Sequence, residues 1–507
     1  MASPIDSEPD TGGYRTVFKS SSMLGGSQGI NYLLGFVRTK SLAYLLGPTG
    51  IGLLGLYSSI SGTVGALATM GIGESSVREI AVAYGEGNQE KLQRVAQIVR
   101  RVCLMCGFLG LILSVAFAMP LSVLSFGNNE HWVPIAILGF TLLLGSITGG
   151  EVALLQGSRQ FAHIAKINIL SSAVSILPVI CIYAIWKEAG IVPAVLLSYA
   201  LILLVTLLFS RSISAGGVRI TWKETFSGAR PLLYLGFAFM LSGLLVSGKD
   251  ILIRSMITKS YGLESMGIYQ SAWTISALFV SFVLRAMGMD FYPRLTAMLN
   301  EHNSMVKAVN QQIEVGILLA LPGVIATITC APMVLLILYS SKFHSGSGLL
   351  AVLSCGVFFK VISYPLNMIQ LAKGDARGFI VFGAAASILE LVLSVSLLLT
   401  CGLIGVALGY AITCFAHIFA MAWVGRKMID YRISKACGAL LFGAFGYICV
   451  GLSVAYFLSG VVALCAGGFL VLISTLYCIR GLARRLGSDH RIMRMVLMLP
   501  CGRFIMP

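Results

Sequence analysis

The sequence predicts an all-α, polytopic membrane protein of about fourteen transmembrane helices: two parallel six-helix lobes and a C-terminal helix pair. Three observations predict it. Of 507 residues, 57% are hydrophobic and 11% charged, where soluble domains carry about a quarter charged residues. Apolar runs such as "LLLGSITGGEVALL" and "FGAAASILELVLSVSLLLT" recur along the whole chain, long enough to cross a bilayer as helices. A membrane barrel would instead alternate in segments of about ten residues. Finally, short motifs recur in order at spacings of 212 to 215 residues.

The N-terminal stretch "MASPIDSEPDTGGYRTVFKS" is polar, with acids before its first basic residue. It lacks the basic head and short apolar core of a secretory signal. Residues 1–16 are read as a cytoplasmic tail. Apolar length and polar breaks then place spans at 17–45, 50–72, 95–120, 132–156, 163–186 and 190–210, an N-terminal lobe over 17–210. Spans at 229–258, 266–288, 308–339, 348–372, 377–400 and 402–425 make a C-terminal lobe over 229–425. Spans at 436–458 and 460–480 form the extra pair (436–480), and 481–507 is a basic cytoplasmic tail. The first and seventh spans are long and interrupted by charge.

Orientation follows from the basic residues, because short cytoplasmic loops are enriched in Lys and Arg. With the N-terminus inside, inner segments hold 27 of them and outer loops only Lys187, Lys259 and Lys342. Both termini then lie in the cytoplasm. Topology accounts for the net charge of +16 without a nucleic-acid partner.

The repeat is carried by three pairs: "GLYSSIS" (55–61) with "GIYQSAW" (267–273), "YGEGNQEKLQ" (84–93) with "LNEHNSMVKA" (299–308), and "LLQGSRQ" (154–160) with "MIQLAKG" (368–374). Six spans per unit is an even number, so the two units share one orientation, as in transporters built from parallel repeats.

Six basic residues fall inside spans: Arg38, Lys40, Lys249, Arg254, Arg285 and Lys360. Each costs roughly 2.5–3.5 kcal/mol at a helix centre unless it snorkels, pairs or faces a wet cavity. Gln28, Asn31, Gly35 and Arg38 share a helix face, a polar stripe suited to a cavity wall, while Lys40 lies about 200° round from Arg38. Asp250 stands four residues before Arg254, beside Lys249. In the tenth span Lys360, Tyr364, Asn367 and Gln370 or Leu371 trace one face. Asp250 and Glu390 are the carboxylates read as deepest, each a counter-charge or a site of proton or sodium coupling. Glu74 and Arg78 read as a structural pair. The interior excess of positive charge attracts anions and suits phosphate oxygens, so the favoured substrate is an anionic headgroup on a polar body.

No cofactor or metal site is expected. There is no phosphate-loop sequence for nucleotide binding. His163, His302 and His417 stand apart from any ligand spacing, and Cys103 and Cys106 read as small apolar packing on one helix face. Pro178, Pro231, Pro322 and Pro365 are candidate kinks, and many of the 56 glycines suit close helix packing.

The block "GFVRTKSLAYLLGPTGIGLLGLYSSISGTVGALATMGIGESSVREIAVAYGEGNQEKLQRV" (35–95) resembles the N-terminal region of Wzx-type flippases. These are the O-antigen and polysaccharide translocases of the multidrug/oligosaccharidyl-lipid/polysaccharide exporter superfamily. A weaker likeness lies in "LLQGSRQFAHIAKINI" (154–169). The resemblance implies a non-enzymatic flippase of the bacterial inner membrane, with two lobes around a central cationic cavity. It would move an oligosaccharide on undecaprenyl pyrophosphate from the cytoplasmic to the periplasmic leaflet by alternating access, beside a polymerase and a chain-length regulator. Gln28, Asn31 and the six interior cations are the substrate-binding candidates, on this chain's own charge pattern. The C-terminal pair departs from the usual twelve-span plan and is similar to the lipid II flippases of peptidoglycan synthesis, the second reading. A multidrug cation antiporter of the same superfamily is the third; the first span, basic and without an acid, speaks against it.

Overall fold

The computed structural model describes residues 11–211, 220–299 and 301–486. Side chains of residues 11–30 and of scattered later positions, among them Gln28, Glu74 and Arg285, lie outside what is described. So do most of the proposed N-terminal tail and the end of the C-terminal one.

The described chain is helical almost throughout. In order it forms α1 (Thr11–Thr69), α2 (Ile72–Gly85), α3 (Gln89–Ala116), α4 (Ala118–Phe126), α5 (Trp132–Gly157), α6 (Phe161–Trp186), α7 (Ile191–Ser210) and α8 (Trp222–Ala297). Next come α9 (His302–Thr329), α10 (Ala331–Leu338), α11 (Ser347–Ala372), α12 (Ala376–Cys401), α13 (Leu403–Ile429), α14 (Lys435–Phe457) and α15 (Gly460–Leu486). Among the described residues, ten helical segments are long and apolar enough to cross a membrane.

Two of the longest helices are broken by glycine. Gly47 in α1 sits at φ 64°, ψ −167°, and Gly262 in α8 at φ 81°, ψ 172°. Both conformations are closed to residues with a Cβ, and Pro48 further disfavours helical geometry at Gly47. The breaks fall between the predicted first and second, and seventh and eighth, spans. They are 215 residues apart. The same offset recurs in the turns after α5 and α11. Ser158, Arg159 and Gln160 donate backbone N–H groups to the carbonyls of Leu154, Gln156 and Leu155. Lys373, Gly374 and Asp375 donate to Ile369, Leu371 and Gln370 in the same pattern. Arg159 holds φ 57° where the second turn has Gly374 at φ 73°.

Helix starts are set by local polar chemistry. Thr221 and Glu224 form a capping box ahead of α8: the Thr221 N–H donates to Glu224 Oε2 at 2.7 Å, and the Glu224 N–H to Thr221 Oγ1 at 3.3 Å. These bonds hold the exposed Glu224 carboxyl below the usual range. Asn88 caps α3, Asp375 caps α12 and Ser434 caps α14 through side-chain oxygens.

The chain divides into two compact units, 1–251 and 252–507, the division falling within α8. In the first, Ile80, Val99, Val102, Cys103, Cys106 and Leu154 lie in one buried cluster, which places the CxxC cysteines in the core. Small residues let α3 and α5 approach closely: a Cβ on Gly107 would lie 3.0 Å from Leu143 Cα, and one on Gly139 2.9 Å from Ser114 Cβ. Across that interface Arg100 Nε and Nη2 grip the buried Glu151 carboxylate at 2.6 and 2.9 Å. The start of α8 packs on α3, where Arg101 donates to Thr225 Oγ1 at 3.0 Å and lies over the Trp222 ring. In the second unit α12 and α13 meet at Gly409, where a Cβ would fall 2.6 Å from the Ser394 nitrogen.

His131, just before α5, stacks on Phe126 at 3.8 Å between centroids and shares a 3.0 Å hydrogen bond with the Tyr57 hydroxyl. Burial lowers its pKa below 6.5, against the opposing Glu130 carboxylate. Between the ordinary and the lowered values the unfolded chain binds a proton that the folded one does not. Stability is therefore fully present above the ordinary histidine pKa and falls as pH drops through the folded one. Thermal melting from about pH 7.5 to 5 is expected to decline more steeply in wild type than in His131→Gln; parallel declines would contradict this.

Candidate functional site

The cationic candidates occupy distinct surroundings. On α1, Leu33, Val37, Lys40 and Tyr44 form an exposed stripe at helical spacing, while Leu42, Ala43 and Leu46 are buried. Arg38 is half-buried and donates to Ser198 Oγ of α7 at 3.4 Å. Tyr183 of α6 lies beside its guanidinium. Arg38 and Lys40 thus do point apart, Arg38 into the first unit's own packing and Lys40 to an accessible face. Asn31, two turns below Arg38, is half-buried with its Oδ1 unpartnered. Gln28 precedes it on the same helix, outside the described side chains.

The other candidates lie on α8 and α11. Thr63 Oγ1 of α1 donates to the Ser247 carbonyl at 3.1 Å, fixing α8 just before Lys249. Lys249 Nζ is 3.3 Å from Asp250 Oδ1, so the acid has a cation partner beside it in sequence. Arg254, in the second unit, is 9% exposed amid buried Ile253, Ser255, Ile257 and Thr258. Arg285 lies outside the described side chains. On α11 most residues from 353 to 370 are buried; Phe359, Lys360, Tyr364, Asn367 and Met368 are not, and Lys360 is the exposed one. The predicted polar stripe therefore lies among the accessible positions of this helix. Gln370 does not join it: it is 1% exposed, with both amide atoms unpartnered. His417 of α13 faces the Lys360 charge. Glu390 of α12 is buried, near Tyr410 of α13.

Sequence reasoning missed two features of the second unit. One is a further buried carboxylate, Glu314 on α9. It accepts from Arg485 Nε of α15 at 2.6 Å and from the Ser434 hydroxyl at 3.3 Å. Asn310, one turn earlier, donates to the Arg432 carbonyl and accepts from the Ser434 N–H and the Tyr431 hydroxyl. This network locks the turn between α13 and α14, and the end of α15, onto α9. Arg485, read from sequence as part of the basic cytoplasmic tail, is a partner of that interior acid.

The other is a groove of about 1080 Å³ among α9, α11, α13 and α14. Its walls are aromatic: Phe358 and Phe359 from α11, Phe415, Phe419 and Trp423 from α13, Phe442 and Phe445 from α14. Arg426, Tyr431 and Arg432 line it near the turn after α13. Phe442 is 85% exposed and Phe419 61%, an apolar surface that water would not cover at equilibrium. Along α13 the groove extends roughly 16 Å from Phe415 to Arg426 at 1.5 Å per residue. The spacing of these rings is readable in the sequence, but a stripe of Phe at helical spacing reads equally as core.

Residues 41–347 match the sequence profile of a family described as polysaccharide biosynthesis protein. The chain belongs to that family. The lipid III flippase of Escherichia coli K12 is 22% identical over 408 residues, covering 79% of this chain and 95% of that one. Among solved structures, the lipid II flippase MurJ in an inward closed conformation superposes with a TM-score of 0.68 at 14% identity, over 91% of this chain and 99% of that one. An inward-facing multidrug resistance transporter of the MATE family, in the MOP superfamily, gives 0.66 at 19% identity, over 79% and 94%. This polysaccharide biosynthesis protein therefore has the fold of those transporters: an all-α, polytopic membrane protein.

Proposed function

We propose that this protein is a flippase for an oligosaccharide carried on polyprenyl pyrophosphate, an O-antigen or related polysaccharide unit. It moves its substrate from the cytoplasmic to the periplasmic leaflet of the bacterial inner membrane by alternating access, without covalent chemistry. The family assignment and the lipid III flippase relative support this reading. The observation that carries it is the second unit's groove, an aromatic trough with two arginines near one end. An isoprenoid chain gains roughly 25 cal/mol for each Å² of apolar surface it buries there, and arginine suits the phosphates of its head.

On this reading the chain spans the membrane fourteen times with both termini inside, as two six-helix lobes and a C-terminal pair. Lys40, Lys249, Arg254, Arg285 and Lys360, with Arg38, Asn31 and Gln28, supply the polar, electropositive wall for the sugar–pyrophosphate head. Asp250 and Glu390 serve as counter-charges or carry a proton or sodium gradient into the cycle. The lipid II flippase reading is supported by the breadth of the MurJ superposition, 91% of this chain; the sugar head of the transported lipid separates the two.

The groove provides the test. Phe419→Ala with Phe442→Ala removes two uncovered rings, each contributing about 1.5–3 kcal/mol when buried against a chain. Translocation of a long polyprenyl-linked substrate in vesicles is expected to fall roughly tenfold or more, and that of a short-chain analogue much less. Equal losses for both tail lengths, or none, would count against a tail site in the groove.

A further inference from the structure

The residues between α13 and α14, Asp430 to Ser434, form no regular structure, yet Tyr431, Arg432 and Ile433 all line the groove. Tyr431, Arg432 and Ser434 are bonded to one side chain. Asn310 of α9 donates to the Arg432 carbonyl at 3.0 Å and accepts from the Ser434 N–H at 3.0 Å and the Tyr431 hydroxyl at 3.3 Å. Its amide also donates to the Val306 carbonyl of its own helix at 2.9 Å. An asparagine side chain has two donors and two acceptor sites, and this one, 5% exposed, uses all of them. One turn on, Glu314 accepts from the Ser434 hydroxyl, which itself accepts from the Cys437 N–H at the start of α14. Arg485 matches the Glu314 charge.

Folding alone does not ask for this chemistry. The 215-residue offset places Val95 and Val99 of α3 where α9 has Asn310 and Glu314, and both valines belong to the first unit's apolar cluster. A buried polar network adds little net stability over apolar groups of the same shape. What it adds here is a fixed backbone at Arg432. That arginine is exposed, and among the described residues its guanidinium has no carboxylate or hydrogen-bond partner. On a free turn its charge would be spread over many positions. Tethered through its own carbonyl, it is held at the groove with part of the ordering cost already met.

We infer that Asn310, backed by Glu314 and Arg485, is a positioning residue that holds Arg432 for the phosphates of a lipid whose tail lies in the groove. The inference rests on the groove reading of the proposed function. It adds the residue that sets the preference for a charged over an uncharged head.

The test is equilibrium binding of two probes to the purified full-length protein in detergent: polyprenyl pyrophosphate and the uncharged polyprenol of the same length. Wild type is expected to prefer the pyrophosphate. Arg432→Gln should lower that preference about tenfold or more, as for one lost charge-assisted hydrogen bond. Asn310→Leu should lower it by a similar factor, with polyprenol affinity unchanged. Because Asn310 acts through Arg432, the double variant should lose no more than Arg432→Gln alone. Asn310→Asp keeps the shape and both acceptor bonds but does not donate to the Arg432 carbonyl, and is expected to follow Asn310→Leu. Equal losses for both lipids would make Asn310 a purely structural residue and overturn the inference. So would full additivity in the double variant, or a wild-type preference in both Asn310 variants. A wild type that failed to bind polyprenol at all would instead strike the groove reading, and this inference with it.

Discussion

Glu151→Ala is expected to be the most destabilising single substitution considered, lowering stability by about 2–4 kcal/mol. The carboxylate is 3% exposed and accepts two charge-assisted bonds from Arg100, at 2.6 and 2.9 Å, across the α3–α5 interface. Removing it leaves a guanidinium, 32% exposed in the pair, with its principal counter-charge gone. Losing one partner of a fully buried pair costs about 3–5 kcal/mol; the accessible part of Arg100 brings the figure down, because water screens and partly resolvates it. Replacing both partners, Arg100→Leu with Glu151→Leu, should recover most of the loss, since neither charge is then stranded. Denaturant-dependent unfolding in detergent checks both. If Glu151→Ala melted with wild type, the pair would be ornamental and the account of this interface mistaken.

This pair also marks how far the sequence could be read. The all-α, membrane-spanning character is legible because its signals are local. Apolar length sets spans, and Gly47 and Gly262 break α1 and α8 where polar or glycine-rich gaps interrupt the apolar runs. The 215-residue offset seen in motifs reappears as backbone hydrogen bonding after α5 and α11. Helical spacing alone separated Arg38 from Lys40 and placed Lys360, Tyr364 and Asn367 on one face. Partnerships across the chain were not readable. Glu314 and Arg485 are 171 residues apart, and nothing local to either announces the other. The groove was hidden for the same reason: its rings come from α11, α13 and α14, and each helix alone offers only an apolar stripe. In the sequence Arg426 and Arg432 are two of the 27 basic residues read as lying inside, where a basic residue needs no further explanation.

The second large effect concerns transport. Arg254→Gln is expected to slow translocation of a polyprenyl-pyrophosphate-linked oligosaccharide roughly ten- to a hundredfold, while the protein still inserts in the membrane. Arg254 is buried on α8, where a charge is expensive to keep unless it pairs or faces a wet cavity. A charge-assisted hydrogen bond to phosphate contributes about 1.5–3 kcal/mol, which gives the stated range. Lys360→Gln should do less, because this lysine is exposed on α11 and acts through a higher dielectric as a single point charge. The measurement is initial rate in vesicles at matched protein density. Wild-type rates in both variants would remove these cations from the substrate path.

The central claim is that the protein itself carries a lipid-borne anionic sugar across the bilayer. The most direct measurement reconstitutes purified wild-type protein in vesicles and follows two fluorescent substrates with the same glycan and polyprenyl chain. One is joined through pyrophosphate and the other through an uncharged linker. The account predicts protein-dependent translocation of the pyrophosphate form, with the uncharged form slower by roughly tenfold or more, the equivalent of one lost charge-assisted contact. Equal rates for the two, or no translocation above protein-free vesicles, would contradict it.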